Sequence, residues 1–285
     1  MGSHIDTDKN RNIDDKTVQG FGYEWELFTQ DSVTYAEKSS LFDEYFAIFP
    51  WHILPDSGGV GADIGCGSGR WAAFVAKRVS TLHLIDASSA ALDVARRNLS
   101  GFANTHFHCA SVSEMPIADG SLDFAYSLGV LHHVPNTRGA IKSIAAKLKR
   151  GAPFLLYIYY AFDNRPSWYR RLWALSNSAR ACIARLPGPM RYGISQFIAA
   201  AVYWPLARAA RVMEGMRCLP ASWPLAYYRD RSFYIMRNDA LDRFGTRLEK
   251  RYTRVQITKM LKDAGFADIK FSERSPYWCA VGIRA

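Results

Sequence analysis

The chain of 285 residues lacks three patterns that would each indicate a class of protein. Its five cysteines include no Cys-x-x-Cys pair, so we expect neither a metal site nor a disulfide framework. No secretory signal is visible. The longest apolar runs, 152–162 and 197–207, are well short of the roughly 20 residues that span a membrane. These absences favour a cytoplasmic protein with a single large domain, or a domain with an insertion.

Acidic residues and lysine are scarce in residues 161–251. This segment holds 16 Lys/Arg, almost all of them arginine, against 6 Asp/Glu, and so accounts for the whole net charge of +10. It also carries four Trp, six Tyr and four Phe. Such a segment closes over an acidic or amphiphilic small molecule, rests on an anionic membrane, or binds RNA. RNA is disfavoured because no RNA-binding module is recognisable and the arginines share helices with apolar residues.

The most informative stretch is Val60 to Trp71, which reads Val-Gly-Ala-Asp-Ile-Gly-Cys-Gly-Ser-Gly-Arg-Trp. An apolar strand runs into a glycine-rich loop and then a helix, which is typical of a nucleotide site at the first βα turn of a doubly wound sheet. The dinucleotide fingerprint Gly-x-Gly-x-x-Gly is absent, because position 70 is Arg and position 72 is Ala. A nicotinamide dehydrogenase is therefore disfavoured.

Apolar periodicity and turn residues predict alternating strands and helices. Strands are predicted at 59–64, 81–85, 104–109, 121–128, 152–160, 267–275 and 278–283, and helices at 71–79, 90–98, 137–149 and 253–264. The βαβα order predicts a mostly parallel sheet. The last two strands are too close in sequence for a parallel crossover, so they should pair antiparallel.

Several motifs in this order resemble those of class I S-adenosylmethionine (SAM) methyltransferases, of the small-molecule type related to ubiquinone and menaquinone biosynthesis. The stretches that carry the resemblance are Val60 to Trp71, Leu84 to Ser88, Glu114 to Asp123, Ser127 to Val134, Lys147 to Gly151 and Leu261 to Phe266. The resemblance covers roughly residues 55–160 and 253–285. It implies an α/β, Rossmann-like, seven-stranded and mostly parallel sheet with an antiparallel last strand, and it implies SAM as cofactor and S-adenosylhomocysteine as product.

The same resemblance suggests a division of the chain. Residues 1–17 are expected to be a disordered N-terminus, and 18–55 a helical segment covering the cofactor. Residues 56–160 and 252–285 form the SAM-binding domain, and 161–251 form an inserted helical substrate cap. Within this cap, Trp168, Leu172, Leu175, Ala179 and Ile183 line one face of a predicted helix over 166–186, and a second helix over 194–213 is interrupted by Pro205.

The resemblance also assigns cofactor contacts. Asp86 is expected to accept the ribose hydroxyls, although it could instead cap the following helix as a surface turn. Asp63 is expected to orient the loop, and Ser111 stands where the family often has an acid near the adenine. The full expected set is Asp63, Gly65, Cys66, Gly67, Gly69, Asp86, Ala87, Ser111, Val112 and Leu128, with Met115 beside the adenine. Tyr23, Trp25 or Tyr35 is a candidate to cover the methionine end.

His132 and His133 follow the fourth strand, and one of them, with His133 favoured, is a candidate general base for an oxygen or nitrogen acceptor. The alternative is that they pack beneath the loop. Tyr234, Arg237 and Arg243 are candidates to bind an anionic group of the substrate, or to hold the cap together. The predicted function is methyl transfer to a small or lipid-like metabolite on oxygen, nitrogen or carbon, with peripheral contact to the inner face of a membrane as an option. A SAM-binding regulatory protein that transfers no methyl group is the alternative.

Overall fold

The computed structural model describes residues 11–285, which divide into two compact units. The first, called here the α/β unit, comprises residues 11–26, 38–161 and 248–285. The second, called the helical unit, comprises residues 27–37 and 162–247. No helix among residues 11–285 is both long and apolar enough to cross a lipid bilayer.

The α/β unit is built on a sheet of seven strands in the order β3-β2-β1-β4-β5-β7-β6. The strands are β1 (Val60–Ile64), β2 (Thr81–Asp86), β3 (Thr105–Cys109), β4 (Phe124–Leu128), β5 (Pro153–Tyr157), β6 (Phe266–Phe271) and β7 (Cys279–Arg284). The first five are parallel, while β7 pairs antiparallel with both β5 and β6. The predicted fold class and the antiparallel closing pair are confirmed.

Several of the α-helices that lie wholly or mostly in this unit begin at capping side chains. The helices that lie there are α1 (Asp15–Leu27), α2 (Tyr35–Phe46), α3 (Ala72–Val75), α4 (Ser89–Asn98), α5 (Thr137–Lys147) and α10 (Arg254–Asp263). Ser88, Asn136 and Thr253 each accept a backbone N–H of the first turn, which satisfies a donor that a helix start leaves open. Thr253 and Gln256 together form a capping box.

The predicted helix over 71–79 is shorter than expected. After α3 the chain forms a 3₁₀ turn, Ala76–Arg78. The side-chain amide of Asn104 donates to the carbonyl oxygens of Ala76 and Val79, both at 2.9 Å. These bonds satisfy carbonyls beyond the last turn of α3 and provide a local reason for the helix to end early.

The core of the α/β unit lies on both faces of its central strands, because β1, β4 and β5 are almost completely buried. Aromatic rings fill one side. Phe42 and Phe46 of α2 stack at 4.3 Å between ring centroids, and Phe46 meets Tyr126 of β4 edge-on at 5.2 Å. Large apolar side chains buried in this way supply most of the favourable free energy of folding.

The expected disordered N-terminus is wrong for residues 11–17, while residues 1–10 lie outside the described part. Helix α1 begins at Asp15, and the Asp14 carboxylate accepts the backbone N–H of Thr17 at 2.8 Å. Asn12 is buried and forms a two-way pair with the backbone of Asn136, donating at 3.0 Å and accepting at 2.7 Å. These bonds order a stretch that its polar composition alone would leave free.

The helical unit contains four longer helices. They are α6 (Ser167–Ile183), α7 (Gly188–Ile198), α8 (Trp204–Gly215) and α9 (Phe233–Gly245), with a π-helical turn at Ala199–Tyr203 and a 3₁₀ turn at Ala226–Tyr228. The interruption predicted at Pro205 is this π turn, after which Pro205 occupies the first turn of α8. Helical residues precede Pro205 without a break, so its missing N–H removes one bond of the helical ladder, and the π turn lies where the helix changes its hydrogen-bond register. Tyr203, Met236 and Phe244 lie in the small core of the unit.

Helix α6 is turned differently from the usual amphipathic helix. Most of its apolar face is exposed, with Trp168 at 49%, Leu172 at 48% and Leu175 at 72% of full exposure, while Ile183 at its C-terminal end packs against the small core of the unit. The buried side chain of α6 is Arg180, which donates to Asn177 and to the carbonyl oxygen of Thr246, both at 2.7 Å. An amphipathic helix usually buries its apolar face, whereas α6 exposes Trp168, Leu172 and Leu175 and buries Arg180.

Candidate cofactor and acceptor site

The glycine loop connects β1 to α3 and requires its glycines. Gly65, Gly67 and Gly69 all have positive φ, at 77°, 52° and 73°. A Cβ on Gly65 would lie 2.4 Å from the Val130 side chain, so any other residue would clash. The N–H of Gly65 donates to the Ile85 carbonyl at 2.7 Å, which ties the loop to the end of β2.

Asp86, at the tip of β2, is bonded to this loop. One carboxylate oxygen accepts the Gly67 N–H at 2.9 Å, and the other accepts the Ser88 N–H at 2.8 Å. Burial raises the pKa of Asp86, and these backbone donors act against that effect. Each oxygen of an ionised carboxylate has a second lone pair. Asp86 therefore holds the loop in place and can still accept the hydroxyl groups of a ligand.

Asp63 occupies a different position, beneath the loop rather than at its edge. It is 1% exposed and accepts a hydrogen bond from the Tyr126 hydroxyl at 3.0 Å. Burial, with a smaller effect of the nearby Asp86, raises its pKa to about 8 against the lowering effect of the Tyr126 hydrogen bond. Asp63 is thus a neutral, proton-carrying group at pH 7, while burial also raises the pKa of the Cys66 thiol and leaves it unreactive.

Two features of the site leave room and polar capacity for a ligand. A Cβ on Gly129, just after β4, would meet no atom within 4 Å. The hydroxyl of Ser68, in the glycine loop, is buried and has no hydrogen-bond partner among residues 11–285. A buried polar atom without a partner is costly, so its presence is typical of a binding site. The residues therefore fit a nucleoside cofactor, and Ser68 was missed because its burial is invisible in sequence.

The other expected cofactor residues surround the ends of β1 to β4. Ser111 is buried and its hydroxyl lies 3.3 Å from a Glu114 oxygen. Val112, Met115 and Leu128 are buried apolar side chains. Ala87 follows Asp86 directly, and its carbonyl oxygen is contacted by the Cys109 thiol at 3.9 Å. Apolar walls with a few polar groups are typical of a small-molecule site.

Helix α1 lies across the site through three contacts. Phe21 meets the His133 ring edge-on at 4.9 Å. A Cβ on Gly22 would be 2.8 Å from the Ser88 hydroxyl, and one on Gly67 would be 2.7 Å from the Trp25 ring. Of the three aromatic residues proposed to cover the cofactor, Trp25 lies against the glycine loop. The side chain of Tyr35 is 67% exposed.

His132 and His133 are buried together after β4. The His133 Nδ1 lies 2.6 Å from the Leu248 carbonyl oxygen, so it carries the ring proton and Nε2 carries the lone pair. The His132 ring lies 3.9 Å from both the His133 and Tyr159 rings, and neither of its nitrogens has a hydrogen-bond partner among residues 11–285. Burial lowers the pKa of His132 well below its usual value, with smaller effects from His133 and Arg251, which keeps His132 neutral.

Three residues beside these histidines were not predicted. The Arg251 guanidinium lies 4.9 Å from the centre of the Tyr159 ring and pairs with Glu249 at 2.9 Å. The other Glu249 oxygen, Oε2, is buried without a partner among residues 11–285. The one signal in the sequence is the charged run Glu-Lys-Arg at 249–251, and its position beside the histidines is visible only in the fold, where the Lys250 N–H donates to the His132 carbonyl at 3.1 Å.

The proposed substrate residues lie in the helical unit and are held by neutral groups. Arg237 donates to Gln196 at 2.5 Å and to the Tyr192 hydroxyl at 2.7 Å, and Arg243 donates to Ser176 at 2.8 Å. The Tyr234 hydroxyl accepts the backbone N–H of Gln30 at 3.0 Å. Neither arginine has an ion pair with a carboxylate among the described residues.

A family model for a methyltransferase domain matches residues 62–156, about a third of the chain. The chain is 31% identical over 94 residues to an O-methyltransferase of Pyrenophora dematioidea, covering 32% of this chain and 35% of that protein. It is 30% identical over 104 residues to the uncharacterised methyltransferase YcgJ of Bacillus subtilis, covering 36% of this chain and 41% of that protein. The chain thus spans less than half the length of the curated relatives it matches.

The fold is similar to that of an O-methyltransferase family protein from Burkholderia thailandensis. The TM-score is 0.51 at 15% identity, over 87% of this chain and 56% of that protein. At that identity the likeness concerns the fold.

Proposed function

We propose that this chain catalyses methyl transfer to a small-molecule acceptor, since it carries a class I SAM-dependent methyltransferase domain that includes residues 62–156. The cofactor of this domain is SAM, and the product left after transfer is S-adenosylhomocysteine. The observation that carries the proposal is the Asp86 carboxylate, hydrogen-bonded to Gly67 where β1 and β2 both end. Ligands of open parallel sheets bind at this edge of the sheet.

The α/β unit offers a group for each part of the cofactor. Asp86 accepts the two ribose hydroxyls, and the glycine loop allows close approach of its backbone. Val112 and Met115 bind the adenine ring, and Ser111 supplies a polar group beside it. The Ser68 hydroxyl gains a partner when the site is filled. When bound, SAM supplies an electrophilic methyl group, so the protein's task is alignment in a dry site.

On the acceptor side, His133 is the proposed general base. The Leu248 carbonyl fixes its tautomer and leaves Nε2 to accept a proton from an oxygen or nitrogen acceptor. His132 stays uncharged beside it and offers a ring nitrogen to the same acceptor. A carbon acceptor that needs no base would leave both histidines without this role.

The chemistry of the acceptor is a finer part of the proposal. In the α/β unit, Arg251 and Tyr159 suit an anionic or amphiphilic metabolite. Within the helical unit, Arg237 and Arg243 are candidates for the same kind of ligand. The relation to quinone-biosynthesis methyltransferases stays a prediction from the motifs. Peripheral membrane contact through the helical unit, with a lipid-like acceptor, is part of the same proposal. A SAM-binding protein without turnover is the alternative.

Turnover of SAM tests the proposal. Purified protein is incubated with SAM and a panel of phenols, quinols, amines and enolisable carbonyl compounds, and S-adenosylhomocysteine is measured. We expect His133→Gln to lower turnover of an oxygen or nitrogen acceptor by about a hundredfold or more while SAM affinity stays unchanged. His106→Gln, at an exposed histidine of β3, is the matched control and should retain activity.

Two results would count against these roles. Wild-type turnover in both His132→Gln and His133→Gln would remove the general-base step. Tight SAM binding without S-adenosylhomocysteine formation from any compound of the panel would favour the non-catalytic alternative.

A further inference from the structure

The helical unit has an unusual surface. Most of the exposed large apolar side chains among residues 11–285 belong to it. On α6, Trp168, Leu172 and Leu175 are spaced four and three residues apart, so they lie on one face of the helix. Soluble proteins usually expose large apolar residues singly, and a contiguous stripe marks a surface that another phase or molecule covers.

Polar side chains of α6 that face the inside of the helical unit fix the orientation of the helix. Arg180 is buried and anchored by Asn177 and by the Thr246 carbonyl, while Ser176 accepts a hydrogen bond from Arg243. Turning the apolar face inward would break these hydrogen bonds. The apolar stripe is therefore exposed because the polar side chains of α6 are hydrogen-bonded inside the unit.

The charge around the stripe has one sign. Residues 164–213, which cover α6, α7 and most of α8, contain eight arginines and no Asp or Glu. Arg171 lies three residues after Trp168 and four before Leu175, so it borders the stripe, while Arg170 is exposed on another face of α6 and Arg185 just after its end. The next helical segment continues the pattern, with Phe197 at 72% and Trp204 at 47% exposure.

We propose that the Trp168–Leu172–Leu175 face of α6, with its flanking arginines, docks on an anionic lipid bilayer. The apolar side chains enter the boundary between headgroups and acyl chains, and the arginines pair with lipid phosphates. This inference specifies the membrane contact proposed above. It does not depend on methyl transfer.

Two other occupants fit the observations less well. A symmetric contact with a second copy would pair this surface with itself and bring arginines of like charge together. A nucleic acid would pair with the arginines and stack on the aromatic rings. The aliphatic Leu172 and Leu175 of the stripe offer it neither charge nor a stacking surface. A bilayer uses both the charge and the aliphatic residues.

Vesicle flotation of the full chain tests the proposal. Wild-type protein should float with vesicles of phosphatidylcholine and phosphatidylglycerol at least about tenfold more than with phosphatidylcholine alone. The double variant Leu172→Asp and Leu175→Asp should lose about tenfold in binding, as should Arg170→Gln with Arg171→Gln. Val255→Asp is the matched control, because Val255 is 77% exposed on α10 of the α/β unit, and it should bind as wild type does.

Titration with SAM on the same samples separates this proposal from the enzymatic one. All variants should bind SAM as wild type does, whether or not they float. Equal flotation with both vesicle types, or full flotation of the leucine variant, would overturn the membrane proposal. So would a wild-type dimer in light scattering that the leucine variant dissociates, or oligonucleotide binding that only the arginine variant loses.

Discussion

At the scale of single residues, Asp63 shows how burial changes the chemistry of an ordinary carboxyl group. Its folded pKa of about 8 lies above the unfolded value of 3.8. Between these two values the folded chain binds a proton that the unfolded chain has lost. The free energy of unfolding contributed by this group is therefore highest below the unfolded pKa and falls as pH rises towards 8.

We expect Asp63→Asn to gain stability relative to wild type as pH rises from about 5 to about 7.5, with a slope of up to about 1.4 kcal/mol per pH unit. The asparagine amide keeps the size of the side chain and cannot ionise. Urea unfolding at several pH values measures the difference. Asp93→Asn, at an exposed aspartate of α4, is the control, and parallel pH profiles for wild type and Asp63→Asn would contradict the assignment.

The sequence predicted those residues of the site whose roles follow from local pattern. The glycines of the loop need positive φ, and Asp86 follows a strand by a fixed spacing, so both are visible before folding. Ser68 and Glu249 were missed because their significance lies in being buried without partners, and burial depends on segments far apart in sequence. Asp63 was predicted at the site, but its proton was not.

At the scale of secondary structure, the strands were predictable because the buried strands of a parallel sheet read as short apolar runs between turns. The orientation of α6 was not. Its pattern of apolar residues fixes which side chains share a face, but it does not say whether that face is buried. Arg180 and its bonds decide the outcome, and they involve Thr246, which is 66 residues away.

Helix α1 gives a prediction at the same scale. Trp25 packs on Gly67 and lies 5.8 Å from the Arg70 guanidinium, so the helix covers the glycine loop. If Trp25 closes over bound cofactor, Trp25→Ala should lower SAM affinity about tenfold, measured by calorimetry, because the ligand loses apolar contact and exclusion of water. Tyr35→Ala, at an exposed ring, should leave the affinity unchanged.

The opposite result would be equally informative. Tighter binding of SAM by Trp25→Ala would mean that the indole ring occupies space the cofactor needs, and that α1 must move before binding. That outcome would contradict the covering role assigned to this helix.

At the scale of the whole molecule, the chain has a net charge of +10. The structure shows that the arginines responsible for it fall into two groups. Part of the arginine surplus is structural. Arg180 and Arg191 donate to the carbonyl oxygens of Thr246 and Gly245, at the C-terminal end of α9, where a helix leaves its acceptors open and attracts cations. Other arginines, such as Arg170 and Arg171, are exposed and remain available to an anionic partner.

Methyl transfer by this chain requires the α/β unit to hold SAM at the Asp86 edge of its sheet. Titration calorimetry of the full chain with SAM, comparing wild type with Asp86→Ala, tests this most directly. We expect wild-type binding and a loss of about tenfold or more in the variant, because the ribose hydroxyls lose their acceptor. Asp119→Ala, at an exposed aspartate, should bind as wild type does. Unchanged affinity in Asp86→Ala, or no SAM binding by the wild-type chain, would contradict the assignment.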